Sequence, residues 1–215
     1  MDEIVSAPLF KYLESKDVDS FLKGKIKIGT LFGYRNIEQH KLDIGDNEEG
    51  ILTRVNTVNG TFNNQNELNR EWGMRDVITI EGENRNTQFI NCTFAKSESS
   101  EDLFVLCFSK TRNDKDMNDI GFVACFDITN PYAFLCKISA ALNTLAEYKG
   151  LHSVSYGDRT IHYTQSPKSH PALLKEARFE YQNEARAIWI PKKNMLLDAK
   201  FVQCSKATKY FKRVL

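Results

Sequence analysis

The sequence lacks the short motifs by which many enzyme families are recognised. It has no Gly-x-Ser-x-Gly elbow, no Gly-x-x-x-x-Gly-Lys-Ser/Thr loop, no Gly-x-Gly-x-x-Gly turn and no His-Glu-x-x-His helix. Its four histidines are too scattered to indicate a metal site or a catalytic triad, and we predict structural or surface roles for them. These histidines are His40, His152, His162 and His170.

Cysteine shows no useful pattern either. The five cysteines are odd in number and include no Cys-x-x-Cys pair, which argues against a disulfide framework and against a zinc site. They lie in apolar settings such as Leu106-Cys107-Phe108, so we expect buried free thiols in a reducing compartment.

A strong net charge and long apolar runs are also absent. Lys and Arg number 29 against 28 Asp and Glu, a net charge of +1 that excludes the overall basic field of a protein that coats nucleic acid. The segment from Lys200 to Arg213 is locally basic and aromatic. It suits binding of phosphates and stacked bases, or it is a solvated helix face or edge strand.

No apolar run approaches the roughly 18 residues of a membrane span, and acidic residues follow Met1, so we expect a cytoplasmic protein without a signal peptide.

What the chain does contain is enough apolar material for one core. Hydrophobic residues make up 41% of its 215 residues, and 14 of them are Phe, so we predict a single domain over residues 1–215. Leu103 to Ser109 and Gly121 to Ile128 read as buried strands, and Tyr132 to Tyr148 as the main helix. Strands outnumber helices without regular β-α alternation, which predicts an α+β fold.

The stretch from Ala177 to Lys192 combines a polar cluster with the apolar run Ala187 to Ile190. On an extended backbone Gln182, Glu184 and Arg186 share one face. A carboxylate beside an amide and a cation suits binding of a ribose hydroxyl, or stabilisation of positive charge on a sugar carbon. The same triplet is typical of an exposed strand face with an ordinary Glu–Arg pair, so both interpretations stay open.

A second acidic stretch, Ile44 to Gly50, contains Asp46, Glu48 and Glu49. Such a loop can hold a divalent cation or the hydroxyls of a sugar, but it lacks the alternating ligand spacing of a calcium loop. We expect an acidic surface turn that pairs with Arg35 or Arg54.

Polar side chains also stand at the ends of several predicted strands, where clefts commonly form. They are Lys11, Tyr12, Arg35, Ser109, Tyr156, Gln182 and Glu184. An opening strand with a polar residue, a helix ending in Gly, a strand ending in Ser and a final Gln-x-Glu turn together resemble the ADP-ribosyltransferase superfamily. Gly29 to Arg35, Gly45 to Gly50, Leu106 to Ser109 and Phe179 to Arg186 are similar to an uncharacterised bacterial domain family associated with phage defence and toxin–antitoxin loci.

The resemblance implies a split, mainly antiparallel β-sheet that grips NAD in its cleft. Glu184 corresponds to the catalytic Glu that stabilises the cationic ribose, and Gln182 to the residue that orients the acceptor. It further implies that Ser109 and Lys11 contact ribose or phosphate, that Arg35 also serves NAD, and that Tyr12 or Tyr156 stacks on nicotinamide. The sequence departs from the superfamily at Lys11, where Arg or His is usual, and in lacking a Ser-Thr-Ser triplet at Ser109.

Three functions therefore remain in competition. The first is an NAD-dependent toxin or phage-defence effector that transfers ADP-ribose to a nucleic acid or a protein. The second is a catalytically silent module, such as an antitoxin, an inhibitor or a sensor. The third is a nuclease that uses Asp46, Glu48 and Glu49 with Mg²⁺.

Overall fold

Strands supply most of the regular structure. The computed structural model describes residues 8–35, 46–75, 77–79, 86–193 and 196–215. With 41% of its residues in strands and 25% in helices, the chain has the mainly antiparallel α+β fold that the sequence predicts.

The described residues form helices and strands with the following bounds. The α-helices are α1 (Ser15–Leu22), α2 (Gln65–Leu68), α3 (Asp114–Asp119) and α4 (Pro131–Leu142). The strands are β1 (Leu9–Leu13), β2 (Lys25–Thr30), β3 (Ile51–Phe62), β4 (Thr87–Ser99), β5 (Phe104–Ser109), β6 (Ala124–Ile128), β7 (Ala146–Ser153), β8 (Ser155–Tyr156), β9 (Thr160–His162), β10 (Leu174–Lys175), β11 (Glu184–Pro191), β12 (Lys200–Gln203) and β13 (Phe211–Arg213). Short 3₁₀ turns cover Gly33–Arg35, Pro171–Leu173, Ala177–Gln182 and Ser205–Tyr210.

Strand β5 is the centre of an eight-stranded antiparallel sheet. Its sequence is apolar except for the terminal Ser109, and five of its six residues are buried, as a strand covered on both faces requires. One edge of β5 pairs with β11 along its whole length, from Ser109 opposite Glu184 to Phe104 opposite Trp189. Strand β7 extends the sheet beyond β11.

The other edge of β5 is shared by two strands that separate from each other. Strand β1 pairs with β5 only at Phe10 opposite Ser109, and β2 pairs only at Gly29 and Thr30, opposite Val105 and Phe104. In the described part of the chain, the residues of β5 between these two points have no ladder partner on that edge. The sheet is therefore split between β1 and β2, as the resemblance implies.

Helix α1 connects the two separated strands. It ends at Leu22 with Lys23 as its C-cap, and Gly24 takes a left-handed φ of +72° that turns the chain into β2. Along β2 the side chains alternate, so Ile26 and Ile28 are buried in the core while Lys25 and Lys27 are not. Beyond β1 the sheet continues through β6 to the edge strand β13, and beyond β2 it ends at the edge strand β12.

The main helix, α4, packs its apolar face on this sheet. The Asn130 side chain accepts a hydrogen bond from the Ala133 N–H, and Pro131 occupies the first turn, so the helix begins one residue before the predicted Tyr132. Phe134 and Ile138 are buried in the same core cluster as Phe126 and Trp189. No helix in the described ranges is long and apolar enough to cross a bilayer.

Two smaller sheets flank the large one. Strands β3, β4 and β9 form a three-stranded sheet, and β10 pairs in parallel with β8 to form a short ribbon. The turn at 46–50 precedes β3, and Ser100 at the end of β4 donates its N–H to the Gly50 carbonyl. The three-stranded sheet thus carries this acidic turn.

Three predicted elements differ from the structure. The helix expected over Tyr132 to Tyr148 ends at Leu142, because Ala146 to Ser153 pair with β11 and become β7. The sequence also predicts a strand over Asp76 to Ile80, but residues 77–79 are not a strand, and the two ends lie outside the described residues. A final strand is predicted over Met195 to Val202, but the observed strand begins only at Lys200, and Met195 is also outside the described residues.

Candidate functional site

A cavity of about 800 Å³ opens where β1 and β2 separate. It is lined by side chains from β1, β2, β5, β10 and β11, so it brings together residues that are far apart in the sequence. The polar members used below are Lys11, Tyr12, Lys25, Lys27, Tyr34, Cys107, Ser109, Lys175, Gln182, Glu184 and Arg186. The cavity also meets 196–199, the segment that leads into β12.

Glu184 is a buried acidic group of this cavity that two cations hold in place. Its side chain is 4% exposed, and it occupies the first position of β11, directly opposite Ser109. Its Oε1 accepts a hydrogen bond from Arg186 Nε at 2.7 Å, and its Oε2 accepts one from Lys175 Nζ at 2.8 Å. Two cations therefore hold the carboxylate at the wall of the cavity.

These cations decide the charge of Glu184. Burial alone raises the pKa of a carboxyl, but Arg186 and Lys175 more than offset it, so the pKa of Glu184 lies well below its usual value. The Cys107 thiol also helps to lower the pKa of this carboxyl. Glu184 is consequently ionised at neutral pH although water hardly reaches it.

Gln182 shares the ammonium group of Lys175 with Glu184. Lys175 Nζ donates to Gln182 Oε1 at 2.8 Å as well as to Glu184 Oε2, and all three residues are buried. Gln182, Glu184 and Arg186 all line the cavity, as the sequence predicts. However, Gln182 belongs to a 3₁₀ turn, and the left-handed Asn183 (φ +40°) separates it from the strand.

Arg186 connects the cavity to the acidic turn. Its guanidinium binds Glu49 through two hydrogen bonds of 2.8 and 3.1 Å, and it also donates to the Ala172 carbonyl at 2.6 Å. Arg186 and Glu49 are each 1% exposed. A continuous chain of buried charges thus runs from Glu49 through Arg186 and Glu184 to Lys175.

Lys11 lies in the gap of the split sheet. Its Nζ donates to the Cys107 carbonyl at 2.9 Å, and Cys107 belongs to the part of β5 that has no strand partner on this edge. This hydrogen bond uses one of the three donors of the Lys11 ammonium group. Burial lowers the pKa of Lys11 and raises the pKa of Cys107 to about 12, so the thiol is protonated.

Ser109 and Tyr156 hold the backbone around Glu184. The Ser109 hydroxyl lies 2.8 Å from the Gln182 carbonyl and 2.6 Å from the Thr111 carbonyl, and it can donate to either. The Tyr156 hydroxyl accepts the Glu184 N–H at 2.7 Å. Ser109 lines the cavity and Tyr156 is not among its lining residues, which suits Tyr156 to supporting Glu184 from behind.

Tyr12 and Arg35 have other partners. Tyr12 lines the cavity, but its hydroxyl donates to Asp114 Oδ1 and accepts the Asn113 N–H, both at 2.8 Å, at the start of α3. Arg35 does not line the cavity. Its Nε donates to the Glu49 carbonyl at 2.6 Å and its guanidinium stacks on Phe32. The structure brings Lys11, Ser109, Gln182 and Glu184 together and leaves Arg35 out of the cavity lining.

The acidic turn is a surface turn only in part, because Glu48 is exposed while its other two carboxylates are buried. Asp46 is 0% exposed and pairs with Arg159, and Glu49 pairs with Arg186. Arg35 binds the main chain of this turn, while Arg54 pairs with Glu98. Over the ranges that the structure describes, no three His, Cys, Asp or Glu side chains are close enough to hold a metal ion. Since arginines already occupy Asp46 and Glu49, the turn offers little to Mg²⁺.

Sequence reasoning missed Lys175 and the pairing of Glu49 with Arg186. Lys175 belongs to a two-residue strand whose partner is Tyr156, and a strand so short has no periodicity to detect. The one available signal is a Lys placed directly after the apolar run Ala172-Leu173-Leu174. Glu49 and Arg186 are 137 positions apart, so only the fold reveals their contact.

Comparison with known protein families, with curated proteins and with solved structures finds no significant match for this chain. The geometry of the cavity must therefore carry the functional argument alone.

Proposed function

We propose that this chain is an NAD-dependent enzyme of the ADP-ribosyltransferase type. The observation that carries the proposal is the position of Glu184: an ionised, nearly buried carboxylate at the wall of a cavity between two separated strands. Negative charge that the fold holds in place stabilises positive charge developing beside it better than the same charge does in water.

The chemistry suited to this arrangement is cleavage of the bond between the nicotinamide nitrogen and ribose C1′. The nitrogen leaves with the bonding electron pair as neutral nicotinamide, and positive charge builds up on the ribose. Glu184 stabilises that charge, and an acceptor then attacks C1′ and loses a proton. A carboxylate accepts about four hydrogen bonds, so Glu184 can bind a ribose hydroxyl while Arg186 and Lys175 hold it.

The rest of the cavity suits the dinucleotide. Its volume of about 800 Å³ lies within the range of roughly 300 to 1,000 Å³ that is usual for small-molecule sites. Lys11 and Lys27, from the two separated strands, add positive charge for a diphosphate. Ser109 serves this site by holding the Gln182 main chain. The ring of Tyr12 is 4% exposed and packs against Phe122, so we assign it no stacking role on nicotinamide.

The test is the release of nicotinamide from NAD with water as the acceptor, since this readout needs no knowledge of the natural acceptor. In Glu184→Gln the side chain keeps its size but loses its charge. We expect turnover to fall by about 100- to 1,000-fold, as when one group that stabilises transition-state charge is removed. Unchanged turnover in this variant contradicts the mechanism.

Glu180→Gln is the matched control. Glu180 is an exposed carboxylate four positions before Glu184, so its loss should leave turnover unaltered. Because Glu184→Gln weakens two buried ion pairs, both variants should be compared with the unsubstituted chain at a temperature where thermal unfolding shows all three to be folded.

A second candidate is a catalytically silent nucleotide-binding module, such as an antitoxin or a sensor. Two observations favour it: both oxygens of Glu184 are already held by cations, and the Ser109 hydroxyl lies between two carbonyl groups. Such a module binds ADP-ribose without releasing nicotinamide from NAD. Calorimetric titration with ADP-ribose beside the turnover assay separates the two candidates. For an active enzyme, incubation with labelled NAD and nucleic acid or protein then identifies the acceptor.

A further inference from the structure

The geometry points to Lys175 as a positioning residue that orients the Gln182 amide and the Glu184 carboxylate together at the wall of the cavity. The inference deepens the proposed function and rests on it for its catalytic consequence. Lys175 is 4% exposed, and its ammonium group lies 2.8 Å from Gln182 Oε1 and 2.8 Å from Glu184 Oε2.

The ammonium group determines which way the Gln182 amide faces. A Lys side chain has three donors and no acceptor, so the amide oxygen must be the atom that meets it. The amide nitrogen then lies on the other side of the group, where it donates to the Tyr181 hydroxyl at 3.4 Å. Lys175 therefore fixes which way round the Gln182 amide is held.

The strand that carries Lys175 also positions Glu184 in a second way. Lys175 pairs in register with Tyr156 in the ribbon of β10 and β8. The Tyr156 hydroxyl accepts the Glu184 N–H, while Lys175 binds the Glu184 carboxylate. The ribbon thus holds both the main chain and the side chain of one residue, which restricts Glu184 to a single orientation.

Lys175 has a further electrostatic effect on Glu184. Several charged or titratable groups face this carboxylate from the surrounding elements: Arg186 on β11, Lys175 on β10, Cys107 on β5, Lys11 on β1, Tyr156 on β8 and Tyr34. Arg186 makes the largest contribution that lowers the pKa of Glu184, and Lys175 makes the next largest. Without Lys175, the carboxylate should take up a proton at a higher pH than in the intact site.

The experiment compares Lys175→Met with Lys175→Arg, using nicotinamide release from NAD measured across a pH series. Met keeps the length of the side chain without charge or donors, and we expect kcat/KM to fall by about 100-fold, as for misplaced catalytic groups. As the pH is lowered, the activity of Lys175→Met should begin to fall at a higher pH than the activity of the unsubstituted chain does. This acidic limb of the pH–activity profile is the readout that follows. Lys175→Arg retains the cation, so the acidic limb of its pH–activity profile should lie at the same pH as that of the unsubstituted chain. A fall in activity with no movement of the acidic limb overturns the inference.

Arg159→Met is the control for a purely structural effect. Arg159 is also a buried cation paired with a carboxylate, that of Asp46, but it does not line the cavity. Its loss should lower stability without moving the acidic limb.

A second pair of variants covers the case in which Lys175→Met does not fold. Gln182→Glu places a second carboxylate on the same ammonium group, so it should move the acidic limb of the pH–activity profile to higher pH. Gln182→Met adds no charge and should leave the limb where it is. Equal profiles for these two variants contradict the inference.

A measurement independent of turnover separates this inference from the proposed function. The carboxyl carbon of Glu184 can be followed by NMR during acid titration and identified by its absence in Glu184→Gln. We expect it to titrate at a higher pH in Lys175→Met than in the unsubstituted chain, whether or not NAD is cleaved. Identical titration in both overturns the role of Lys175. Failure to release nicotinamide from NAD, with the shift present, overturns the proposed function alone.

Discussion

At the scale of single residues, the cavity depends on charges that are buried but paired. Glu184, Arg186 and Glu49 are each at most 4% exposed, and ionised groups so deep are tolerated only when opposite charges and hydrogen bonds surround them. Arg186 meets this condition for two carboxylates at once. Removing Arg186 leaves both of them buried without their main partner.

We therefore predict that Arg186→Met lowers the free energy of unfolding by about 3 to 5 kcal/mol. The exposed Arg178, which pairs with Glu176, is a matched control, and Arg178→Met should cost at most about 1 kcal/mol. Urea unfolding followed by circular dichroism measures both. Similar losses in the two variants contradict the importance of the buried charges.

The depressed pKa of Glu184 also predicts how stability depends on pH. Because the folded-state pKa lies below the unfolded value near 4.5, the ion pairs of Glu184 contribute fully above that value. Their contribution is lost as the pH falls toward the folded-state pKa. Stability should thus decline below about pH 4.5, and Glu184→Gln should flatten this decline. Urea unfolding at several pH values measures the slope, and equal slopes for the two proteins contradict the prediction.

At the scale of elements, the split sheet requires β1 and β2 to leave the same edge of β5 at different points. Gly24 makes the turn between α1 and β2 with a φ of +72°. A Cβ atom there would lie 2.8 Å from Ser205 Cα and 2.9 Å from the Cys204 carbonyl oxygen. Neither is a flexible side-chain end, so the strand forming one wall of the cavity depends on glycine at this position.

We predict that Gly24→Ala destabilises the fold by about 1 to 3 kcal/mol, the usual cost of a strained backbone conformation. Gly60 is the matched control, since its nearest contact for an added Cβ is the Phe62 ring at 3.6 Å. Thermal unfolding of the two alanine variants measures the difference. Equal melting temperatures would show that the turn at Gly24 can relax.

At the scale of the whole molecule, the cavity is bounded by segments from both halves of the chain. Lys11 and Lys27 come from its beginning, Cys107 from its middle, and Lys175 and Glu184 from its last quarter. A ligand that contacts all of these walls binds only the folded chain. It should therefore oppose global unfolding.

We predict that NAD or ADP-ribose at about 100 times its dissociation constant adds roughly 2.7 kcal/mol to the free energy of unfolding. Mg²⁺ should add nothing, because arginines pair with the buried carboxylates of the acidic turn. Differential scanning calorimetry tests both ligands. Stabilisation by Mg²⁺ without stabilisation by NAD favours the nuclease hypothesis instead.

The sequence by itself determined the local elements and the principal acidic residue. The apolar runs of β5 and β11 identify buried strands, and the cap of α4 begins that helix at Pro131, because these signals depend on neighbouring residues. The cluster around Gln182, Glu184 and Arg186 likewise stood out as a candidate site. The sequence could not show that the helix ends at Leu142, since only pairing with β11 makes the following residues a strand.

The tertiary structure decided which groups share the cavity. Lys175 and Glu49 reach Glu184 and Arg186 only because β10 pairs with β8 and the acidic turn folds against β11. Tyr12 and Arg35 gave equally good signals in the sequence, yet the Tyr12 hydroxyl bonds to residues at the start of α3 and Arg35 does not line the cavity. Contacts between distant segments depend on how the sheets pack, and no local pattern of residues encodes that packing.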